Sequence, residues 1–407
     1  MKHTAIIGGG AAGLMAACLL LRAGQKCTVL EKQQRVGRKL LSTGNGRCNM
    51  TNIRATDKNY WGDRKYIHAA LKAFSPEDAI AFFGSIGVPC VTDEEGRVYP
   101  AGNQAAGVLD ALRLYISENG GEFRCEFDAV KLSRNKWGWT IASASGESIR
   151  ADFVLIACGG TAAPKVGGGN GGYKLLESLG HKITPKFPAI VPLKTDAETV
   201  RALKGNRADC IMTLFDRGQA VKTEKGEVLF GDGSVSGICA MQMAREVNRR
   251  MHKGGKCTLK INFAESLQPG FVKERCGLLP ERSMEDFFAG MLPKRLGQVL
   301  IKAAGVGPLS ITAKELTENQ ISAIENCVCG WKLPILGTLG FDQAQVTSGG
   351  AEIHSFDENT LESRLAEGVF AAGEVLDVDG DCGGFNLQWA WSSAYLCAKE
   401  IIRRSGK

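Results

Sequence analysis

Three glycine-rich stretches hold the residue types and spacings that could do chemistry in this chain. The first, Gly8-Gly9-Gly10-Ala11-Ala12-Gly13, fits G-x-G-x-x-G. In that pattern Gly8 permits a tight turn, Gly10 lets backbone approach a pyrophosphate, and Gly13 lets helix and strand pack closely. The amides of the helix after it, with its positive dipole end, face phosphate charge. Glu31 lies 18 residues beyond Gly13, with Lys32 beside it. There a carboxylate accepts hydrogen bonds from a ribose diol and disfavours a 2′-phosphate. The second stretch runs Arg38, Lys39, Leu40, Leu41, Ser42, Thr43, Gly44, Asn45, Gly46, Arg47, Cys48 and Asn49. Gly44 and Gly46 allow amides to face a flat ligand, and Arg47 is a candidate phosphate neighbour. The third comprises Gly373, Glu374, Asp377, Gly383, Gly384, Phe385, Asn386 and Leu387. A helix entered through two glycines offers unblocked amides, which suits an edge that becomes anionic on reduction, such as the N1–C2=O edge of a flavin. FAD and NAD both fit the first motif; NADP is a poor tenant.

These residues need a particular set of elements to hold them. Thr4–Ile7 reads as a strand, Ala11–Ala23 as a helix closed by Gly24, and Lys26–Leu30 as a second strand, together one βαβ unit. Phe153-Val154-Leu155-Ile156-Ala157 is the continuous apolar run of a strand buried on both faces. Segments 129–132, 137–142 and 147–150 pattern as a β-meander. From 263 to 330 the periodicity is helical, with 284–291, 294–304 and 312–327 expected as helices. Val369–Ala372 is another buried strand, and Asn386–Ile402 a long terminal helix. A second G-x-G-x-x-G, at Gly167–Gly172, comes about ten residues after Ile156-Ala157 and has no ribose reader beyond it. It reads as a flexible loop near the cofactor, leaving the chain without a resident nicotinamide domain.

Composition narrows the class. At 407 residues the chain suggests two or three domains. Its 44% hydrophobic and 23% charged residues are those of a globular protein. The net charge of +7 is scattered, without the long basic stripe of a nucleic-acid surface. Fourteen cysteines contain no Cys-x-x-Cys, and five histidines stand at no ligand spacing, so no dithiol reductase and no metal site is expected. Met1-Lys2-His3 leads directly into the first strand, and Leu14–Leu21 is far shorter than a membrane span. A cytoplasmic location with reduced thiols is the expectation, with no membrane association.

Four blocks together resemble the BaiN-type FAD-dependent oxidoreductases: 37–49, Gly-Arg-Val-Tyr-Pro at 96–100, 368–380, and Gly-Gly-Phe-Asn-Leu-Gln-Trp-Ala-Trp-Ser-Ser at 383–393. The resemblance covers nearly the whole chain. It implies an α/β fold with a discontinuous Rossmann-like FAD-binding domain of the glutathione-reductase superfamily, carrying an inserted β-barrel subdomain and a helical subdomain. The boundaries expected are 1–192 and 345–407 for the FAD-binding domain, 193–262 with 331–344 for the barrel, and 263–330 for the helices. It also implies that the backbone at Val130 lies beside adenine and that Ala157, Cys158, Gly159 and Gly160 line the cofactor. The activity implied is transfer of hydride from NAD(P)H, a transient donor, through non-covalent FAD to a small organic substrate such as an enone. A flavin oxidase, a tRNA-modifying flavoprotein and a non-catalytic flavin-binding module stay open beside it. Where the family has Thr-His-x-Gly-[Leu/Ile]-Ser-Gly-Pro, this chain has Gly231-Asp232-Gly233-Ser234-Val235-Ser236-Gly237-Ile238. The histidine is lost, and no catalytic acid is assigned.

Overall fold

The computed structural model describes residues 2–406. It divides into two compact units, one built from residues up to Phe187 together with those from Gln345 on, the other from Pro188–Ala344. In the first unit, β1 (His3–Ile7), α1 (Ala11–Arg22) and β2 (Lys26–Leu30) form the βαβ start. β3 is Glu122–Arg124. β4 (Ala129–Asn135), β5 (Gly138–Ser143) and β6 (Ser148–Ala151) make the antiparallel meander. β7 (Phe153–Ile156) comes next, then α2 (Gly171–Ser178). β8 (Val369–Ala371) and α3 (Phe385–Ser405) complete the unit.

Five strands form one parallel sheet in the order β8-β7-β1-β2-β3. All four residues of β7 are buried, which is why its sequence is an unbroken apolar run. α1 packs on α3 and on the helix Ala105–Glu118. Leu14, Met15 and Leu20 from α1 and Trp389 and Trp391 from α3 are fully buried in the core. Ile7 pairs with both Leu30 and Ile156, and Ile156 with Ala371. Four strands thus end at one level, and the loops leaving them start along a single edge of the sheet.

The second unit holds a closed six-stranded barrel, in the order 193–195, 234–236, 219–230, 207–216, 257–262, 331–338. Its helices include Ile238–Met241, Ala244–His252, Phe271–Leu278, Lys294–Ala303 and Glu318–Gly330. Thr317 and Gln320 cap the last one reciprocally, so it starts six residues later than the periodicity suggests. Residues 284–291 are not a helix but a succession of turns. Met284 N donates to Ile311 O at 2.9 Å and Glu285 N to Leu309 O at 2.9 Å, which ties this backbone across to another segment. Met284, Phe287 and Phe288 are still buried.

Candidate active site

The carboxyl edge of the parallel sheet is where an open α/β fold takes its ligands, and three backbone bonds knit it. Gly8 N donates to Leu30 O at 2.8 Å, Ala157 N to Ile7 O at 2.8 Å, and Ala372 N to Ile156 O at 3.0 Å. Gly8, Glu31, Ala157–Gly160 and Gly373-Glu374 are thereby brought together.

The glycines of the first motif have separable reasons. A Cβ on Gly8 would lie 2.4 Å from Ala157 O, and one on Gly13 would lie 2.0 Å from Gly8 O. Close packing of the chain on itself therefore requires both. Gly10 is different. Its φ of −86° and ψ of −168° suit any residue, and a Cβ there would meet nothing within 4 Å. α1 begins at Ala11 with no side-chain cap and no acidic residue in its first turn, so the amides at Ala11 and Ala12 face that free volume uncapped. Glu31 stands opposite, its Oε2 accepting from Gly9 N at 2.9 Å and its Oε1 from Gln33 N at 2.8 Å. A carboxylate has about four acceptor positions, so capacity remains for a diol. Open volume, bare helix amides and a half-used carboxylate form a set that fits the phosphate and ribose of a dinucleotide such as FAD.

Several other candidates are occupied by the protein itself. Arg38 donates to Gln33 Oε1 at 2.5 Å and to Lys165 O at 3.1 Å, and Thr43 Oγ1 donates to Leu40 O at 2.6 Å. Gly44 and Asn45 both turn through left-handed backbone, while the space above Gly46 is open. The Arg47 guanidinium lies over the Tyr99 ring at 4.7 Å. Cys48 is buried, and burial pushes its thiol up to about 12. Cys158 donates to Ile7 O at 3.3 Å, and its thiol is likewise raised by burial to about 12. Neither thiol is a ready nucleophile. Gly159 faces open space. Asp377 accepts from Thr184 Oγ1 at 3.0 Å. Val130 is the extra residue of a bulge between Ala129 and Lys131 and is exposed, so its backbone is free of the ladder.

The entry to α3 corrects one expectation. Asn49 donates to Thr51 O at 3.0 Å and accepts from Gly384 N at 3.1 Å. A Cβ on Gly384 would lie 2.4 Å from Thr51 O. The Gly384 amide is therefore not unblocked, and its lack of a side chain serves packing. Asn386 is also spent, accepting from Gly380 N at 2.8 Å and donating to Gly380 O at 2.9 Å. Gly373 N donates to Ser393 Oγ and Gly373 O accepts from Trp389 Nε1. Phe385 is buried, Leu387 packs against the core, and Gly383 precedes them in the same turn.

One ion pair joins the second and third stretches: Lys39 Nζ lies 2.7 Å from Glu374 Oε2. Glu374 Oε1 accepts from Thr347 N at 2.8 Å, and a Cβ on Gly160 would come within 2.4 Å of that same oxygen. Thr347 Oγ1 in turn accepts from Ala162 N at 2.9 Å. Thr347 is a residue that sequence reasoning missed, because it belongs to no motif and works only through partners distant in the chain. Lys32 Nζ lies 2.7 Å from where a Cβ on Gly169 would stand. Residues 167–170 are thus a loop, with Gly169 N bonded to Gly160 O at 3.0 Å, whereas Gly171 and Gly172, expected in the same loop, open α2; a short 3-10 turn, not a strand, leads into the stretch.

Among the described residues no group of His, Cys, Asp and Glu is placed to hold a metal, and no helix is long and apolar enough to cross a membrane. Residues 2–400 match the family model described as HI0933-like protein Rossmann domain. The chain is 32% identical, over 99% of its length and 100% of the relative, to a 3-dehydro-bile acid delta(4,6)-reductase of Clostridium scindens. It is 28% identical, over 98% of its length and 97% of the relative, to a ribosomal RNA dihydrouridine synthase of Escherichia coli. Among solved structures it resembles a 3-ketosteroid delta1-dehydrogenase from Sterolibacterium denitrificans, with a TM-score of 0.53 and 12% identity over 99% of this chain and 100% of that one. That likeness is one of fold.

Proposed function

We propose that this chain, which belongs to the HI0933-like Rossmann family and is an FAD-dependent oxidoreductase, takes hydride from NAD(P)H and delivers it to a carbon–carbon double bond conjugated with a carbonyl in a small organic substrate. When bound, FAD supplies the two-electron relay between donor and acceptor. The protein's share is placement. Gly10 leaves the volume for the pyrophosphate, the amides opening α1 face its charge, and Glu31 takes the ribose hydroxyls. The Lys39–Glu374 pair ties the two loops that flank the other end of the crevice. Of the two G-x-G-x-x-G motifs, only the first follows a strand within a βαβ unit, which favours a nicotinamide donor that visits and leaves.

The choice of acceptor rests on what two relatives share. One is named for reducing delta(4,6) bonds of a 3-dehydro bile acid, the other for making dihydrouridine. In both names the bond to be saturated is conjugated with a ring carbonyl. A ribosomal RNA substrate is the second reading that the same observation supports; the scattered +7 charge argues for the small molecule. Anaerobic mixing tests both. NADH or NADPH should bleach the flavin absorbance, and a 3-oxo-4-ene steroid should restore it where unmodified ribosomal RNA does not. Restoration by RNA alone moves the substrate to the second reading. Restoration by oxygen alone makes the enzyme an oxidase, and failure of both nicotinamides to bleach the flavin ends the donor assignment.

A further inference from the structure

The second unit holds two thiols that the function above does not use. Cys210 lies on the barrel strand Arg207–Asp216, and Cys239 on the short helix Ile238–Met241. Cys210 is paired across the ladder with Gly226, and its thiol donates to Gly226 O at 3.5 Å. The Cys239 thiol donates to the next carbonyl, Glu227 O, at 3.4 Å. Gly226 has no side chain, and the position its Cβ would occupy is 3.6 Å from Cys239 Cβ. Directly opposed residues on an antiparallel pair carry their Cβ atoms roughly 4.5–5.5 Å apart. Cys239 thus stands beside the position directly across the ladder from Cys210, and the two thiols reach consecutive carbonyls of the same strand. The neighbouring Cys210 thiol holds Cys239 below the ordinary thiol range, and Cys239 raises Cys210. Both residues are buried, at 5% and 0% exposure, so only a small oxidant reaches them in the folded protein.

We propose that Cys210 and Cys239 form a redox pair that a hydroperoxide closes to an intramolecular disulfide, locking the helix Ile238–Met241 to the barrel wall. Hydrogen peroxide is the simplest such oxidant. The Cys239 thiolate attacks one peroxide oxygen; the S–O bond forms, the O–O bond breaks, and the departing hydroxide takes a proton to become water. The Cys210 sulfur, losing its proton, then attacks the Cys239 sulfur and expels the hydroxyl as a second water. Two thiols are oxidised by two electrons and one peroxide is reduced to two waters.

The test uses full-length, FAD-loaded protein, reduced with dithiothreitol and desalted. After brief exposure to a few equivalents of hydrogen peroxide, digestion without reductant should release a peptide joining Cys210 to Cys239. Two of the fourteen thiols should vanish from a titration in denaturant, return with dithiothreitol, and the oxidised protein should melt higher by roughly 5 °C. In Cys210→Ser, which keeps a hydroxyl beside Cys239, the reaction should stop at the Cys239 sulfenic acid, trapped by dimedone added together with denaturant; a Cys239 that is never labelled overturns the order of steps. The proposal fails if native protein loses thiols without the 210–239 peptide, or if that peptide forms only in urea.

Discussion

Replacing Gly10 by alanine separates what the protein needs from what its ligand needs. The backbone there is extended and compatible with alanine, and the added methyl would meet no protein atom within 4 Å. Alanine is a poorer N-cap than glycine by about 0.5–1 kcal/mol. It recovers about 0.4–1 kcal/mol by restricting the unfolded chain. The flavin-free variant should therefore melt within about 2 °C of the parent. The same methyl would stand where the uncapped amides opening α1 meet phosphate. Hydrogen bonds to a charged acceptor contribute about 1.5–3 kcal/mol each, so displacing the pyrophosphate from two of them weakens FAD binding by roughly 10²–10⁴-fold. Gly13→Ala should behave oppositely, because its methyl would lie 2.0 Å from Gly8 O and must disturb the flavin-free fold itself. Melting curves of flavin-stripped proteins, then FAD titration read from flavin fluorescence quenching, give both numbers for each variant. Parental FAD affinity in Gly10→Ala would refute the placement of the pyrophosphate. So would a loss of flavin-free stability as large as that of Gly13→Ala.

The same geometry yields other outcomes. Glu31→Gln keeps one acceptor for the Gly9 and Gln33 amides, so FAD affinity should drop about tenfold to a hundredfold with modest loss of stability, measured in the same titration. Lys39→Met and Glu374→Gln share a half-buried ion pair; each should cost about 1 kcal/mol in urea unfolding, and the double variant clearly less than the sum of the two. His181 is buried between Ser355 and Ser363 and stacked on Phe356 at 4.4 Å, and burial lowers its pKa from 6.5. The unfolded chain then binds that proton first as pH falls, so stability present above 6.5 is lost below it, and His181→Gln should flatten the melting-temperature profile in acid. Replacing Pro188–Ala344 by a short Gly/Ser linker should leave a protein that still takes up FAD, since every candidate cofactor segment lies in the other unit; a soluble, folded excision protein that binds none would place cofactor contacts in the insert.

What could be read from the sequence was whatever local pattern determines. Strand, glycine turn, helix and acidic end within residues 3–31 form one short-range unit, and each piece lies where its periodicity puts it. The same reasoning misjudged 284–291, where apolar residues at helical spacing are buried by turns whose backbone bonds go to 309 and 311. Spacing reports which side chains are covered, not where the backbone amides find partners. Long-range pairings were invisible for a related reason: Lys39 and Glu374 are 335 residues apart, and nothing in either neighbourhood names the other. Asn49 meeting Gly384 is the same case, and it reverses the meaning of a glycine that looked as though it offered its amide to a ligand. Glycine is the residue whose purpose sequence states least, since an absent side chain leaves room for backbone, for a neighbour or for a ligand alike. In three dimensions the neighbours decide it. Thr51 fills the room at Gly384 and Ala157 fills it at Gly8, whereas at Gly10, beside bare helix amides, room is left that no protein atom claims.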